Sequence, residues 1–527
     1  MTRPSERRPP AHADVVVIGT GAGGAPLLAR LAQAGLKVVA LEAGVRHPPA
    51  GIATDEVSQA GLFWMDERLS AGADPVAFGR NNSGRGVGGS TLHYTAYTPR
   101  AQPDDLRLHT EFGQGHDWPL EFAELERYYD QIEPFLGVSG PAEYPWGPAR
   151  RSGYRHPPLP LNGAAELMQR GCAELGLRTS PAANAALSRP QIQEGYGERP
   201  ACTNRGFCQA GCSTGAKASL DVTYLALAEK YGAQILDDSY VTGFRRQGVH
   251  GGGDRLTGVE YQRGSETCFI GVDTVVLSAG AVETPRMLLM HGLANSSGQV
   301  GRNFMAHTGV QLWGQFPESV RPNKGIPGAL ISEDTHRPAH LGQGGLVGGY
   351  LLQSIGVMPV TYATQYTRGT GTWGQALHDH MAGYNHVAGI NILGECLPYG
   401  HNFLELSDEL DIRGLPKPRI HFSFGDNEQR MTGHAEALMR QIWTAAGAGP
   451  MWAFPRAAHT IGTARMGSDP ASSVVDPYGK AHDLNNLYIS DNSTFPSALA
   501  VNPALTIMAL SLRTADHLLE QAARGDL

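Results

Sequence analysis

The segment DVVVIGTGAGGAPLLARLAQAGLKVVALE, residues 14–42, decides the fold. It begins with a β-branched run of the kind that is buried in a parallel sheet. Closely spaced glycines follow, and then small and apolar residues recur at helical spacing up to Gly35. A second apolar run, residues 37–41, ends at Glu42. This order predicts a strand–helix–strand unit with a parallel sheet and therefore an α/β fold.

Gly19, Gly21 and Gly24 form the pattern G-x-G-x-x-G between the predicted strand and helix. The first glycine permits a tight turn, the second lets a diphosphate approach the backbone, and the third lets helix and strand pack closely. A carboxylate at Glu42 can accept hydrogen bonds from ribose hydroxyls, which favours FAD or NAD over NADP. The segment therefore predicts a bound dinucleotide, and the alternative is a glycine-rich turn without a ligand.

The composition sets limits on the class of protein. With 527 residues, 41% of them hydrophobic, the chain can form several units with buried cores. The formal net charge of −8 disfavours a nucleic-acid-binding protein. There is no apolar run long enough for a transmembrane helix, and no apolar signal segment follows Arg7 and Arg8. We expect a cytoplasmic protein, and export together with a signal-bearing partner stays open.

The rest of the chain predicts a second, sheet-based part. Residues 117–140 are typical of one amphipathic helix that ends at Gly137, with Trp118, Tyr128 and Tyr129 packing it onto the domain. Residues 310–450 alternate polar and apolar side chains among glycines, as antiparallel strands do. A C-terminal helix is predicted from Pro503 onward.

Three further stretches resemble the glucose-methanol-choline (GMC) family of FAD-dependent oxidoreductases. The first is GRGVGGSTLH (84–93), similar to the family's glycine-rich loop along the flavin and its diphosphate. The second is SAGAVETPRMLL (278–289), similar to the second family signature. The third runs from HTIGTARMG (459–467) through NNLYISD (485–491) to NPALT (502–506), similar to the family's C-terminal region. The chain is accordingly identified as a member of this family, with FAD as its cofactor.

The resemblance implies a division into two discontinuous domains. A Rossmann-like FAD-binding domain would comprise residues 1–100, 200–310 and 455–527. A substrate-binding domain with a mainly antiparallel sheet would comprise residues 101–199 and 311–454. It also implies the positions that contact FAD: Gly19, Gly21, Ala22, Gly24, Glu42, Ala43, Arg85, Gly88, Gly89, His93, Val241, Ala279, Asp491, Asn502 and Pro503.

The expected activity is oxidation of an alcohol, such as a sugar or polyol, to the carbonyl compound. A base must take the hydroxyl proton while a hydride passes to flavin N5, and a histidine suits the first task because its pKa lies near working pH. His459 matches the family's catalytic histidine, and Asn502 matches its partner position. A lone histidine in a loop is more often structural, but the surrounding H-x-x-G-T and N-P residues favour the catalytic interpretation.

Two features extend this interpretation. His93 falls where certain family members attach FAD covalently through a histidine ring, whereas others bind FAD there without a bond. Cys202, Cys208 and Cys212 resemble the stretch that holds a 3Fe–4S iron–sulfur cluster in bacterial glucose and fructose dehydrogenase catalytic subunits. Ser213 stands where some of those proteins have Pro. The alternatives for the cysteines are a disulfide or packed thiols, and no metal-ion site is predicted.

The sequence leaves the electron acceptor open among oxygen, a quinone and a redox subunit. Two other classes of function also stay open. One is a lyase on the same fold in which FAD is structural. The other is an electron-transfer subunit without alcohol chemistry of its own.

Overall fold

The computed structural model describes residues 9–53, 55–64, 68–74, 83–249, 252–337 and 345–525. Arg7 and Arg8 lie outside these ranges. The quoted segment folds as predicted, because β1 (His12–Ile18) leads through the glycine turn into α1 (Ala25–Gln33), and β2 (Val38–Leu41) follows. In the described ranges the remaining helices are α2 (Leu108–Phe112), α3 (Phe122–Leu136), α4 (Gly163–Glu174), α5 (Tyr224–Lys230), α6 (Gly280–His291), α7 (Pro359–Thr370), α8 (Gln375–Ala382), α9 (Asp426–Ala445) and α10 (Ala504–Arg524).

The strands form two large sheets and two small ones. The remaining strands are β3 (Leu69–Ala71), β4 (Ser180–Pro181), β5 (Gln191–Gln193), β6 (Gly197–Arg199), β7 (Gln234–Leu236), β8 (Ser239–Val249), β9 (Gly252–Arg263), β10 (Glu266–Leu277), β11 (Met305–Gln315), β12 (Leu330–Ser332), β13 (Tyr350–Ile355), β14 (Val387–Gly394), β15 (Phe403–Leu410), β16 (Pro416–His421), β17 (Met451–Ile461) and β18 (Leu487–Ile489). The small sheets are β15-β16-β3 and β5-β6.

The first large sheet has seven strands in the order β7-β2-β1-β10-β9-β8, with β18 also pairing with β10. Its central pairs β2–β1, β1–β10 and β10–β18 are parallel, and β9 and β8 extend it as antiparallel strands. The β-branched residues of β1 are fully buried, as expected for a strand covered on both faces. The predicted Rossmann-like sheet is confirmed.

The second large sheet has six strands in the order β17-β11-β14-β13-β12-β4, and its neighbouring pairs are antiparallel. Helices α4 and α9 pack against it and bury a second hydrophobic core. The predicted antiparallel sheet is therefore confirmed. Helices α7, α8 and α9 interrupt residues 310–450, and the alternating pattern of that stretch does not predict them.

Helix α3 begins at Phe122 rather than at the start of the predicted helical stretch, and it ends as predicted at Gly137, whose φ is +72°. Its buried tyrosines face α10, and the Tyr129 hydroxyl lies 2.8 Å from Thr506 Oγ1. Thus α3, although within residues 101–199, packs on the C-terminal helix of the nucleotide-binding part. The domain division itself stays a prediction. None of the helices in the described ranges is both long and apolar enough to cross a membrane.

Candidate active site

A cavity of about 1230 Å³ opens at the carboxyl ends of β1 and β2. The starts of α6 and α10 also line it, and so do β17 and α7 from the second part of the chain. Ligands of doubly wound sheets bind at this edge of the sheet. The volume exceeds the roughly 300–1,000 Å³ of ordinary small-molecule pockets. It has room for a dinucleotide together with a small substrate.

Most of the predicted site residues meet in this cavity although they are far apart in the chain. Those that line it are Gly19, Gly21, Ala22, Glu42, Ala43, Gly89, His93, Val241, Ala279, Asp491, His459, Asn502 and Pro503. Gly24, Arg85 and Gly88 are not part of the wall. They lie behind it: Arg85 donates to the Ala43 carbonyl, and the Gly88 N–H donates to Thr20 Oγ1.

The two glycine-rich loops pass each other so closely that side chains are excluded. A Cβ on Gly89 would lie 2.7 Å from Gly21 Cα, and Gly89 has a φ of +55°. A Cβ on Gly24 would lie 2.1 Å from the Gly19 carbonyl oxygen, which is the close helix–strand approach predicted for the third glycine. The loops form a cradle of bare backbone, as a bound diphosphate requires.

Glu42 is buried and joins the loops of this cradle. Its Oε2 accepts hydrogen bonds from Thr20 N and Oγ1 at 3.1 and 2.7 Å, and its Oε1 accepts from Gly44 N and Gly86 N at 3.0 and 3.2 Å. Burial raises the pKa of Glu42, and these hydrogen bonds oppose the shift. Because a carboxylate has about four acceptor positions, the chain itself fills them. Contact with a ribose therefore stays a prediction.

Asp491 and Ser278 supply polar groups beside the start of α6. The Asp491 carboxylate accepts from Gly280 N and Thr284 Oγ1 at 2.8 and 2.6 Å. Ser278 Oγ is buried, lines the cavity and has no hydrogen-bond partner among the described residues. A buried hydroxyl without a partner is uncommon in a folded protein. The cradle and this unpartnered hydroxyl fit a polar cofactor such as FAD.

His459 lies on β17 at a β-bulge. The register pairs Ala306 with Thr460 and His307 with Ala458, so His459 is the extra residue between them, and its φ is +57°. Bulges next to active sites redirect side chains. Burial lowers the pKa of His459 well below its usual value, and the nearby His307, Arg456 and His93 lower it further. The imidazole is neutral at neutral pH.

A second histidine contacts His459 through a hydrogen bond. His307 Nδ1 lies 3.0 Å from His459 Nδ1, and His307 Nε2 lies 3.0 Å from the Leu499 carbonyl oxygen. The two rings are nearly perpendicular, with centroids 5.0 Å apart. His307 is completely buried, and burial lowers its pKa to about 4. Both rings are thus neutral partners in one hydrogen-bonded chain.

Asn502 has its amide orientation set by a neighbour. Gln353 Nε2, on β13, donates to Asn502 Oδ1. With the oxygen engaged, the Asn502 NH₂ group remains available as a donor, and Asn502 lines the cavity. No acceptor among the described residues forms a hydrogen bond with this NH₂ group.

His93 lies in the cavity wall beside the cysteine loop. Burial and the Lys217 ammonium lower the pKa of His93 to about 3, and its Nε2 has no hydrogen-bond partner among the described residues. Lys217 Nζ donates to the Leu92 and Tyr94 carbonyls on either side of His93, at 2.8 and 3.2 Å. It also donates to the Cys208 carbonyl at 2.7 Å. The buried ammonium group of Lys217 therefore connects the residues on either side of His93 to the cysteine loop.

All three clustered cysteines are free thiols, so the disulfide alternative is absent from this structure. Burial raises the pKa of Cys208 to about 12 and also raises that of Cys202. Burial alone would raise the pKa of Cys212 as well, but hydrogen bonds from Thr214 and Lys217 and the Lys217 charge lower it. Gln209, next to Cys208, lines the main cavity. Cys208 is therefore next in the chain to a residue of the cavity wall.

Four residues that contact the predicted ones or line the cavity beside them have no sequence signal of their own: His307, Gln353, Lys217 and Arg456. The first two lie within strands without any motif around them. Lys217 lies five residues after Cys212, and Arg456 lies three before His459. Only their closeness to predicted site residues could have drawn attention to them.

Comparisons with known proteins agree with this geometry. Residues 70–309 and 398–511 match the two family models described as GMC oxidoreductase. The chain is 29% identical to the fructose dehydrogenase large subunit of Gluconobacter japonicus, over 97% of this chain and 99% of the relative. It is 31% identical to 2-methyl-1,2-propanediol dehydrogenase of Mycolicibacterium austroafricanum, over 96% and 95%. It is 27% identical to the gluconate 2-dehydrogenase flavoprotein of Pantoea cypripedii, over 96% and 94%.

Solved structures share the fold. Pyridoxine 4-oxidase from Mesorbium loti superposes with a TM-score of 0.64 at 18% identity, covering 97% of this chain and 99% of that one. A formate oxidase variant from Aspergillus oryzae superposes with a TM-score of 0.66 at 16% identity, covering 99% and 100%. At these identities the likeness establishes the architecture alone.

Proposed function

Since the chain belongs to the GMC oxidoreductase family and is an FAD-dependent oxidoreductase, we propose that it oxidises a sugar, polyol or related alcohol with His459 as the base and Asn502 as the group that orients the hydroxyl. Alcohol oxidation in general is supported by the relatives named as alcohol and sugar dehydrogenases and oxidases. The substrate class and the two residue roles go beyond those names.

The proposal rests on one observation: the cavity wall has both a hydrogen-bond donor, at Asn502, and an acceptor, at His459. Asn502 offers an NH₂ donor because Gln353 occupies its oxygen. His459 is neutral and can accept a proton. An alcohol hydroxyl is both a donor and an acceptor, so it can donate to the imidazole while its oxygen accepts from the amide. This arrangement fixes the rotation about the C–O bond, which directs the C–H bond.

The remaining residues bind and shield the reacting groups. FAD, when bound, supplies the oxidant that takes a hydride from the carbon bearing the hydroxyl group. The glycine turns at Gly19–Gly24 and Gly84–Gly89 would hold its diphosphate, and Asp491 and Ser278 would bind polar groups of its chain. Phe454 of β17 and Thr364 of α7 also line the cavity.

Anaerobic mixing of the purified flavoprotein with sugars and polyols tests the proposal. Bleaching of the flavin absorbance is expected, and His459→Gln should slow it by about 10²–10⁴-fold, as loss of a general base does. His378→Gln is the matched control, because His378 is exposed on α8 outside the cavity. A slowing below tenfold in His459→Gln contradicts the assigned base.

The same experiment separates the two other classes of function. A lyase with structural FAD converts its substrate without bleaching the flavin. An electron-transfer subunit without alcohol chemistry shows no change when His459 is replaced.

We further propose that electrons leave through the cysteine loop, toward a protein or quinone acceptor rather than oxygen. Cys202, Cys208 and Cys212 would hold an iron–sulfur cluster, supported by the Lys217 hydrogen bonds that connect the Cys208 carbonyl to the residues on either side of His93. The relatives named as a large subunit and a flavoprotein also support a redox partner. Iron and sulfide analysis and the visible spectrum test this. A protein without iron, or one that reduces oxygen as fast as a quinone, contradicts it.

His93 is proposed as the attachment point if the flavin is covalently bound. Its neutral ring in the cavity wall and its unpartnered Nε2 support this assignment. Acid precipitation provides the test: a yellow pellet indicates a bond, and His93→Ala should then release the flavin to the supernatant. A yellow supernatant from the unmodified protein contradicts the bond.

A further inference from the structure

The contact between His307 and His459 determines where the protons of both rings reside. A carbonyl oxygen only accepts hydrogen bonds, so the His307 nitrogen 3.0 Å from the Leu499 carbonyl, Nε2, must carry a proton. A neutral imidazole has a single N–H. His307 Nδ1 is therefore an acceptor, and the hydrogen bond between the two Nδ1 atoms must be donated by His459.

This assignment fixes the tautomer of His459. With its proton on Nδ1, a neutral His459 has its free lone pair on Nε2, the nitrogen turned away from His307. A base that takes a hydroxyl proton needs that lone pair free. The opposite tautomer would present an N–H to the substrate and could not accept.

The backbone around this contact is arranged to hold it. His459 is the unpaired residue of the β-bulge, with a φ of +57° that strands do not adopt. Leu499, which supplies the acceptor for His307, also has a positive φ, +67°. Its neighbour Ala498 donates its N–H to the buried Glu395 carboxylate at 2.7 Å. Unusual backbone conformations at functional sites persist when the surroundings hold them in place.

We propose that His307 is a positioning residue that sets the tautomer and the direction of His459 through the chain Leu499 C=O, His307, His459. It touches no reacting atom. The inference rests on the proposed role of His459 as base. Leu499 lies three residues before Asn502, so one loop anchors both the base, through His307, and the hydroxyl-orienting amide.

The same geometry stabilises His459 once it has accepted a proton. The imidazolium then has N–H groups on both nitrogens, and its Nδ1–H continues to donate to His307 Nδ1. Such a charge-assisted hydrogen bond is stronger than a neutral one.

Two substitutions separate this role from simple packing. His307→Leu keeps much of the ring volume but removes the acceptor. His307→Asn places an amide oxygen near the former Nδ1 position, where it can accept from His459 Nδ1–H. We expect His307→Leu to slow flavin reduction at least tenfold, as a wrongly oriented catalytic histidine does, with little change in the substrate concentration for half saturation. His307→Asn should recover most of the rate.

¹⁵N NMR of the FAD-loaded protein, labelled at its histidines, measures the tautomer of His459 directly. The His459 signals are those that disappear from the spectrum of His459→Gln. The expected spectrum has a protonated Nδ1 and an unprotonated Nε2 at neutral pH. A protonated Nε2 overturns the proposal, and this measurement needs no folded His307 variant. Equal rates in His307→Leu and the unmodified protein also overturn it. If His459→Gln stays active, the proposed function fails instead, which keeps the two failures distinguishable.

Discussion

Gln353 on β13 donates a hydrogen bond to the Oδ1 of Asn502 at the start of α10, 149 residues away in the chain. Both side chains are more than nine-tenths buried. The contact decides which end of the Asn502 amide faces the cavity.

Replacing Gln353 with Glu should therefore reverse the amide. A carboxylate accepts and does not donate, so it would pair with the Asn502 NH₂ group and turn Oδ1 toward the substrate. We expect the rate of flavin reduction to fall about tenfold or more, equivalent to ~1.4 kcal/mol for one misdirected hydrogen bond. Gln353→Leu, which leaves the amide free to rotate, should lose less. Similar rates in Gln353→Glu and the unmodified protein would contradict this orientation.

Removing the charge of Arg456 should change the pH dependence of the reaction. Burial is the main cause of the low pKa of His459, and the Arg456 cation adds to it. Arg456→Met should therefore raise the pKa of His459. Since His459 must be neutral to act as a base, the acidic limb of the rate profile should then move to higher pH. Arg368→Met is the control, since Arg368 lines the cavity but is exposed. Stopped-flow reduction from acid to neutral pH measures both variants, and an unmoved limb in Arg456→Met contradicts the expectation.

Adding one methyl group between the glycine loops should weaken FAD binding. In Gly89→Ala the new Cβ would lie 2.7 Å from Gly21 Cα at a φ of +55°. Gly35→Ala is the matched control, because Gly35 also has a positive φ, +89°, but open space around it. Both variants should lose about 1 kcal/mol of stability from the backbone conformation. Only Gly89→Ala should bind FAD at least tenfold more weakly, measured by the flavin-to-protein ratio after reconstitution. Equal flavin contents would refute the close approach.

The group Asp104, Asp105 and His336, in which Asp105 and His336 are buried, makes stability depend on pH. His336 Nε2 lies 3.0 Å from Asp105 Oδ1, and Arg337 pairs with Asp104 at 2.7 Å. Burial alone would lower the pKa of His336, but the two carboxylates raise it to about 10. Among the described residues this is the group whose ligand atoms lie close enough for a metal ion. A metal ion would have to displace the proton of this imidazole, and without one the carboxylates, His336 and Arg337 form an ion-pair network.

The direction of this pH dependence follows from the linkage between protonation of His336 and folding. The folded pKa of about 10 lies above the unfolded value of roughly 6.5. The stabilisation is therefore complete below pH ~6.5 and is lost as the pH rises toward about 10. Urea unfolding at several pH values should show the unmodified protein losing its advantage over His336→Gln across this interval. A constant difference between the two proteins would contradict the raised pKa.

The parts of this site that the sequence revealed are those with local signals. The β1–α1–β2 unit is continuous in the chain, and His459 and Asn502 each lie within a recognisable stretch. His307 could not be found in this way. It reaches His459, 152 residues away, only because β11 pairs with β17. Glu42 is predicted as a cofactor ligand, and its four backbone and hydroxyl donors come from three separate turns that the sequence alone does not bring together.

The backbone conformation at His459 predicts that one substitution there keeps or raises the stability of the protein while it lowers the activity. A positive φ costs an ordinary L residue about 1–2 kcal/mol, and asparagine tolerates this conformation better than most residues. His459→Asn keeps a short donor that can reach His307 Nδ1, so we expect its melting temperature to equal or exceed that of the unmodified protein. The rate of flavin reduction should nevertheless fall by about 10²–10⁴-fold, because the amide is no base. The control His378→Asn, at an exposed helical position, should lower stability by a few tenths of a kcal/mol and leave the rate unchanged. A melting temperature several degrees lower in His459→Asn would show that the histidine stabilises the bulge rather than straining it.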